Sequence, residues 1–237
     1  MLTYALFQKS TQSLLDLLFP PRCISCKAAN SWLCQNCLSH ISFITTPVCK
    51  RCGTPLAVDA LVCKQCKNNP LQDIDGIRSA SHFENNPIRP AIHFLKYRNH
   101  KAVASVLATI LADAYHYYQM AADLIVPVPL YPSRLRERGY NQSELLAKAV
   151  RNILHLSVNT STLQRTRQTK SQMTLGVNER HQNVADAFAC SNLDLSGRKV
   201  LLIDDVCTTG STLNACANAL KKSGVASVWG LTLAKAD

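Results

Sequence analysis

The spacing of apolar residues changes twice along the chain. Residues 12–19 (QSLLDLLF) carry leucines at the spacing of one helix face and stop at Pro20-Pro21, which predicts a short amphipathic helix. From about residue 23 to 70 the long periodicity disappears, and Pro47, Gly53, Pro55 and Pro70 punctuate short segments. Such a stretch predicts a small, loop-rich module that needs a staple other than an apolar core. Beyond about residue 74, apolar runs alternate with longer helical patterns. Residues 76–84 (GIRSASHFE) alternate as a strand does, 86–97 read as a helix entered through Pro87 and Pro90, and 101–120 as a long alanine-rich helix. A buried strand at 124–128 (LIVPV) runs into a proline-marked turn. The helix pattern at 141–154 opens with Asn141, Ser143 and Glu144, residue types that suit a helix start. A polar stretch at 164–183 precedes an apolar strand at 199–206 (KVLLIDDV), a helix at 211–222 and a last strand at 225–233. This alternation predicts an α/β domain over 71–237, after an N-terminal helix and cysteine-bearing module over 1–70.

Composition supports a folded protein. At 47% hydrophobic and 17% charged, the 237 residues can bury a sizeable core. The longest apolar stretches, such as 103–112, are broken well short of the 18 or so residues that span a bilayer, so no membrane span is expected. The first residues lack a basic start and a small-residue cleavage site, a pattern read here as cytoplasmic. The formal net charge of +11 favours polyanionic partners.

Four CxxC pairs stand at Cys23/Cys26, Cys34/Cys37, Cys49/Cys52 and Cys63/Cys66, separated by seven, eleven and ten residues. A two-residue gap lets both sulfurs of a tight knuckle face one ion at about 2.3 Å, and two knuckles complete a tetrahedron. Two structural zinc ions are expected, with sequential pairing preferred over an interleaved one. An iron–sulfur cluster and a redox dithiol are the alternatives. Eight thiolates around two zinc ions would lower the net charge to about +7.

The stretch 200–213 (VLLIDDVCTTGSTL) places Asp204 and Asp205 at the carboxyl end of an apolar strand and then passes through Cys207, Thr208, Thr209, Gly210, Ser211 and Thr212 into a helix. Small hydroxyl residues and a glycine leave backbone N–H groups free to surround a phosphate, and the carboxylates can accept hydrogen bonds from vicinal hydroxyls. Together they predict a site for a phosphorylated sugar. Lacking GxxxxGK[ST], the turn is not a nucleoside-triphosphate P-loop. Gly210 is expected to permit close approach of the backbone to the phosphate, so that a valine there would block it. Cys190 and Cys216 read as ordinary buried thiols.

LLIDDVCTTGST resembles the 5-phosphoribosyl 1-diphosphate (PRPP) signature of type I phosphoribosyltransferases over its whole length. With the multi-CxxC module, Leu95-Lys96-Tyr97, VPVPLYPSRLRERGYNQ at 126–142, and Arg165, Gln172, Arg180 and Asn183 before Phe188, the chain is similar to the ComF competence family. The resemblance implies a type I phosphoribosyltransferase-like parallel sheet flanked by helices, preceded by a double zinc ribbon. It also implies a part in DNA uptake, with single-stranded DNA and a helicase-like ATPase as partners. By position, Asp204 and Asp205 would hold the ribose 2′ and 3′ hydroxyls, and 208–212 the 5′-phosphate. The turn around Pro129 to Ser133, with Pro129, Leu130 and Tyr131 as its binding residues, would take the place of the diphosphate loop, with Mg²⁺ accompanying PRPP. Lys96 and Tyr97 would line the pocket or cap a helix. The stretch 164–183 stands where a mobile loop closes in related transferases, and Arg165, Arg167 and Lys170 would neutralise departing diphosphate. Lys50, Arg51, Lys64 and Lys67 beside the knuckles, with Arg134, Arg136 and Arg138, are the expected DNA contacts. Two functions fit: a binding module for which PRPP is a regulatory or vestigial ligand, and a transferase acting on an unknown amine or nucleobase.

Overall fold

The structure is a computed structural model that describes residues 20–57, 60–97, 101–167, 186–191 and 195–236. The predicted helix at 12–19, Lys170 and most of the 164–183 stretch lie outside the described residues. Five strands, β1 (Gly76–His82), β2 (Leu124–Pro127), β3 (Ser157–Val158), β6 (Lys199–Cys207) and β7 (Ser227–Lys235), form one sheet in the order β1-β7-β6-β2-β3. Every pairing in it is parallel. The central strand β6 is fully buried over Val200–Ile203, which is why it reads as an unbroken apolar run rather than an alternating one. From β6 the chain proceeds outward to β7, and from β2 outward to β3 on the other side. The order therefore reverses between β6 and β2, and the crevice outside the carboxyl ends at such a reversal is where open α/β sheets bind ligands.

Helices cover both faces. On one face α3 (Ile88–Tyr97), α4 (Lys101–Tyr117) and α6 (Gln142–Leu154) share a core with Ile125, Leu201, Ile203 and Leu231. On the other, α7 (Ser211–Lys221) and a two-stranded hairpin of β4 (Leu163–Arg165) and β5 (Phe188–Cys190) pack on Val126, Val200, Leu202 and Val228. The cysteine module, with α1 (Gln35–Ser39) and α2 (Lys64–Asn68), is divided between them. Cys23 and Cys37 belong to the first core, and Cys49, Cys52 and Cys66 to the second. Residues 42–44 run antiparallel beside β1, with Ile44 N–H donating to Ala80 O at 2.9 Å and His82 N–H to Ser42 O at 3.0 Å.

The elements differ from the sequence expectation mainly at their ends. The alanine-rich helix stops at Tyr117 instead of 120, because Gln119 turns left-handed at φ 49° and closes the helix without a glycine. The last strand is shifted to Ser227–Lys235. A short helix absent from the sequence reading, α5 (Pro132–Arg138), follows the 128–131 turn, started by Pro132 and ended by Gly139 at φ 78°.

Candidate functional site

Each cysteine cluster grows from a turn and a helix start. In the first, Lys27 N–H donates to Cys23 O at 2.8 Å; in the second, Gly53 N–H donates to Cys49 O at 3.0 Å, and both residues take a positive φ. The later pairs begin α1 and α2, with Cys34 and Cys63 as their N-caps. The knuckles pair sequentially. Cys23, Cys26, Cys34 and Cys37 form one group and Cys49, Cys52, Cys63 and Cys66 the other, the sulfurs of each lying within 4.8 Å of one another. Sulfurs 2.3 Å from a tetrahedral zinc stand about 3.8 Å apart. The Cys23–Cys37, Cys26–Cys34 and Cys52–Cys63 separations of 3.7, 3.4 and 3.6 Å fit that geometry. At Cys23 burial opposes the thiolate, but backbone N–H groups of Cys26, Cys34 and Ser25 outweigh it and bring the pKa down to about 6. The donor set fits structural zinc, with four protein ligands and no place left for substrate.

The second constellation lies at the carboxyl end of β6. Asp205 is 4% exposed, and Lys96 at the end of α3 forms an ion pair with it, Nζ to Oδ2 at 2.5 Å. Burial works against the Lys96 ammonium, but the Asp205 and Asp204 carboxylates outweigh it and raise its pKa. Asp204 Oδ1 accepts from Ser143 Oγ at 2.8 Å and from the Asp205 N–H at 2.9 Å. Burial and the Asp205 carboxylate nevertheless push the Asp204 carboxyl up to about 7.

After the carboxylates the chain turns into α7. Gly210 takes φ 83° as the N-cap, Thr209 Oγ1 and Ser211 Oγ are 2.6 Å apart, and Lys235 Nζ donates to Thr208 O at 2.8 Å. Cys207 is a core thiol, raised by burial to about 11, so it takes part in the turn through its backbone. The expectation for Gly210 needs correction. A Cβ there would meet Ile77 Cδ1 at 2.6 Å and Leu71 Cδ1 at 3.0 Å, so its bare side faces the core rather than a ligand.

The remaining predicted residues fall into three places. Lys96, Tyr97, Arg134 and Arg138 line one cleft of about 120 Å³ together with Glu137, which pairs with Arg134. Arg138 lies over the Tyr97 ring and bonds Gln142, while Arg136 is exposed on α5. Asn141 caps α6 through its Oδ1 and donates its Nδ2 to Val128 O, which fixes the turn carrying Pro129, Leu130 and Tyr131. Arg165 is on β4, over the Phe188 ring and within the field of Asp204. Lys50, Arg51, Lys64 and Lys67 are exposed on the cysteine module. No helix among the described residues is long and apolar enough to cross a membrane.

The double zinc ribbon domain family matches residues 14–67, and the phosphoribosyl transferase domain family matches residues 96–236. The chain is 35% identical to Competence protein F of Haemophilus influenzae over 227 residues, covering 90% of this chain and 97% of that one. It belongs to the competence protein F (ComF) family. It is also 32% identical to the DNA utilization protein YhgH of Escherichia coli K12, covering 90% of this chain and 96% of the relative. The corresponding figures for Competence protein ComFC of Bacillus subtilis are 29%, 85% and 83%. Among solved structures, a Bacillus subtilis glutamine PRPP amidotransferase matches with a TM-score of 0.40 and 18% identity, covering 60% of this chain and 30% of that one.

In this ComF-family chain, two residues of the site were not read from the sequence. Ser143 appeared only as a helix-start residue, and its bond to Asp204 spans 61 positions. Lys235 is 6% exposed, and no carboxylate among the described residues pairs with it. Its signal was available: a lysine closing the apolar run LTLA is as conspicuous as the aspartates closing β6.

Proposed function

We propose that this protein binds PRPP, with Mg²⁺ on the diphosphate, at the carboxyl end of β6, and that it acts with a helicase-like ATPase on single-stranded DNA during natural transformation. The observation that carries the reading is the pair Asp204 and Asp205, adjacent at the end of a buried strand and followed at once by a turn of small hydroxyl residues capping α7. A buried carboxylate next to a half-buried one is costly without partners. Vicinal ribose hydroxyls would donate to them, and the turn's N–H groups would receive the 5′-phosphate. Lys96 pairs with Asp205, and Ser143 holds Asp204 in place. Mg²⁺, when bound, would offset charge on the diphosphate.

The DNA half of the reading draws on the relatives named for competence and DNA utilization, and on one surface. Beside the cysteine module an open groove of about 530 Å³ is lined by Lys50, Arg78, Leu61, Tyr117 and Tyr118. Cations beside aromatic rings suit single strands, whose bases stack while their phosphates are neutralised.

One observation favours a second reading, a working transferase. Residues 96–236 match the phosphoribosyl transferase domain family, and in such a transfer a nitrogen nucleophile bonds to the ribose C1′ as the bond to diphosphate breaks, its proton passing to solvent. Release of diphosphate from PRPP in the presence of an amine or nucleobase separates the two readings.

The shared ligand is tested by thermal shift and calorimetry. PRPP with Mg²⁺ raises the melting temperature, and ribose 5-phosphate binds more weakly. Replacing Asp204 and Asp205 together by Asn weakens two charge-assisted bonds, each worth roughly 1.5–3 kcal/mol, and lowers affinity at least about tenfold. No shift in the unmodified protein, or equal binding by the double variant, removes PRPP from the account.

A further inference from the structure

Two independent sets of contacts join the second cysteine cluster to the 207–212 turn. The first runs through a glycine. Gly53 closes the Cys49–Cys52 knuckle and lies so close to β1 that a Cβ would stand 2.5 Å from Ile77 O. Ile77 N–H donates in turn to Arg51 O at 2.7 Å, which fixes the knuckle to the strand from both sides. The Ile77 side chain, fully buried, then supports Gly210 in the turn, and Leu71 supports it from beside.

The second set runs through a carboxylate. Below the Cys63–Cys66 knuckle the chain leaves α2 and reaches Asp73. There Asp73 and Ile74 N–H both donate to Asn214 Oδ1, at 3.0 and 3.2 Å. In return, the Asp73 carboxylate accepts from Asn214 Nδ2 at 3.1 Å and from Asn218 Nδ2 at 2.9 Å. Asn214 also donates its backbone N–H to Gly210 O at 2.9 Å, so the same asparagine closes the first turn of α7 and holds the cysteine-module exit. Among the described residues no hydrogen bond joins the first cluster to this turn. That cluster's buried thiols pack with α3 and α4 in the core of the opposite sheet face.

We propose that Cys49, Cys52, Cys63 and Cys66, with metal bound, position the phosphate turn through Gly53–Ile77 and through Asp73. Metal at this cluster and a phosphorylated sugar at the turn then strengthen each other's binding. The inference rests on the sugar-phosphate reading and adds to it a direction: the structural metal of the second cluster supports the ligand site, and that of the first does not. Coupling of binding free energies is reciprocal, so each ligand must report on the other.

The test uses the full-length protein loaded with two zinc ions, ribose 5-phosphate as the probe, and a chelator whose colour change follows metal release. Ribose 5-phosphate slows release of one equivalent by about fivefold or more and leaves the other unchanged. D73A starts with both zinc ions and loses that protection. Hydrogen exchange of the unliganded protein gives a second readout: amides at 208–212 exchange faster in C63S/C66S, and keep their protection in C34S/C37S. If calorimetry shows ribose 5-phosphate bound but neither zinc is protected, or both are protected equally, the coupling is wrong while the sugar-phosphate reading stands. If nothing binds and the 208–212 amides ignore the second cluster, both fall.

Discussion

Lys96 Nζ at the end of α3 lies 2.5 Å from Asp205 Oδ2 on β6, an ion pair that ties a face helix to the central strand at the carboxyl end of the sheet. Replacing Lys96 by Met would strand a carboxylate that is 4% exposed. Removing one partner of a buried pair costs roughly 3–5 kcal/mol, and less where one side chain reaches water, as the 27%-exposed Lys96 does. K96M is expected to lose about 2–3 kcal/mol in urea unfolding. K96M/D205L, which removes both charges, is expected to recover most of it. An unchanged urea midpoint in K96M would mean that the pair contributes nothing to folding.

Asp204 sets a pH dependence of the opposite sense to the usual carboxylate. Its folded pKa, about 7, lies above the ordinary carboxylate value of 3.8. Folding therefore favours its protonated form, and this contribution is complete below about pH 4 and disappears as the pH rises through 7. Melting temperatures of the unliganded protein and of D204N, compared at pH 5 and pH 8, should diverge, with the parent losing more on the alkaline side. Parallel behaviour of the two proteins would contradict the assignment.

At Gly210 a substitution acts through the core. Alanine there is strained by a φ of 83° and would collide with Ile77. The left-handed conformation costs about 1–2 kcal/mol and overpacking about 1–3 kcal/mol, so G210A should lose roughly 2–5 kcal/mol even without ligand. G210A together with I77V, which shortens the opposing side chain, is expected to regain part of the packing loss. Full stability of G210A in urea would show that the turn is free to move off Ile77.

Binding of single strands should be electrostatic with an aromatic component. Affinity for an oligonucleotide is expected to fall steeply between low and physiological salt, and K50A/R51A should flatten that slope. Tyr117, 51% exposed at the groove, offers a stacking face, and Y117A should weaken binding by roughly 1–3 kcal/mol at any salt. Filter binding across a salt series distinguishes these effects. Unaltered binding in both variants would move the contact off this groove.

Much of this could be read along the chain because the informative residues are neighbours in sequence. β6 is apolar on both faces and ends abruptly in Asp204 and Asp205, so element and site coincide in one run. The knuckles are equally local. What escaped depended on distance or on the lack of a stripe. The Ser143–Asp204 bond joins positions whose only relation is that α6 packs beside β6. Helix α5 buries no residue, and Leu135, its one large apolar side chain, is 42% exposed, so there was no periodicity to find. The role of Gly210 was misread because a turn glycine can face a ligand or the core, and only the positions of Leu71 and Ile77 decide between them.

Residues 42–44 lie along the outside of β1, and Arg51 O receives the N–H of Ile77 further down the same strand. The cysteine module thus occupies what would otherwise be an open row of hydrogen-bonding groups on a parallel sheet. A strand laid bare in this way is a template for another chain. Cutting the protein near residue 70 would not release a self-sufficient phosphoribosyl transferase domain. It would bare β1 as an edge strand open to pairing, so the metal-stapled segment also serves as the cover of that edge.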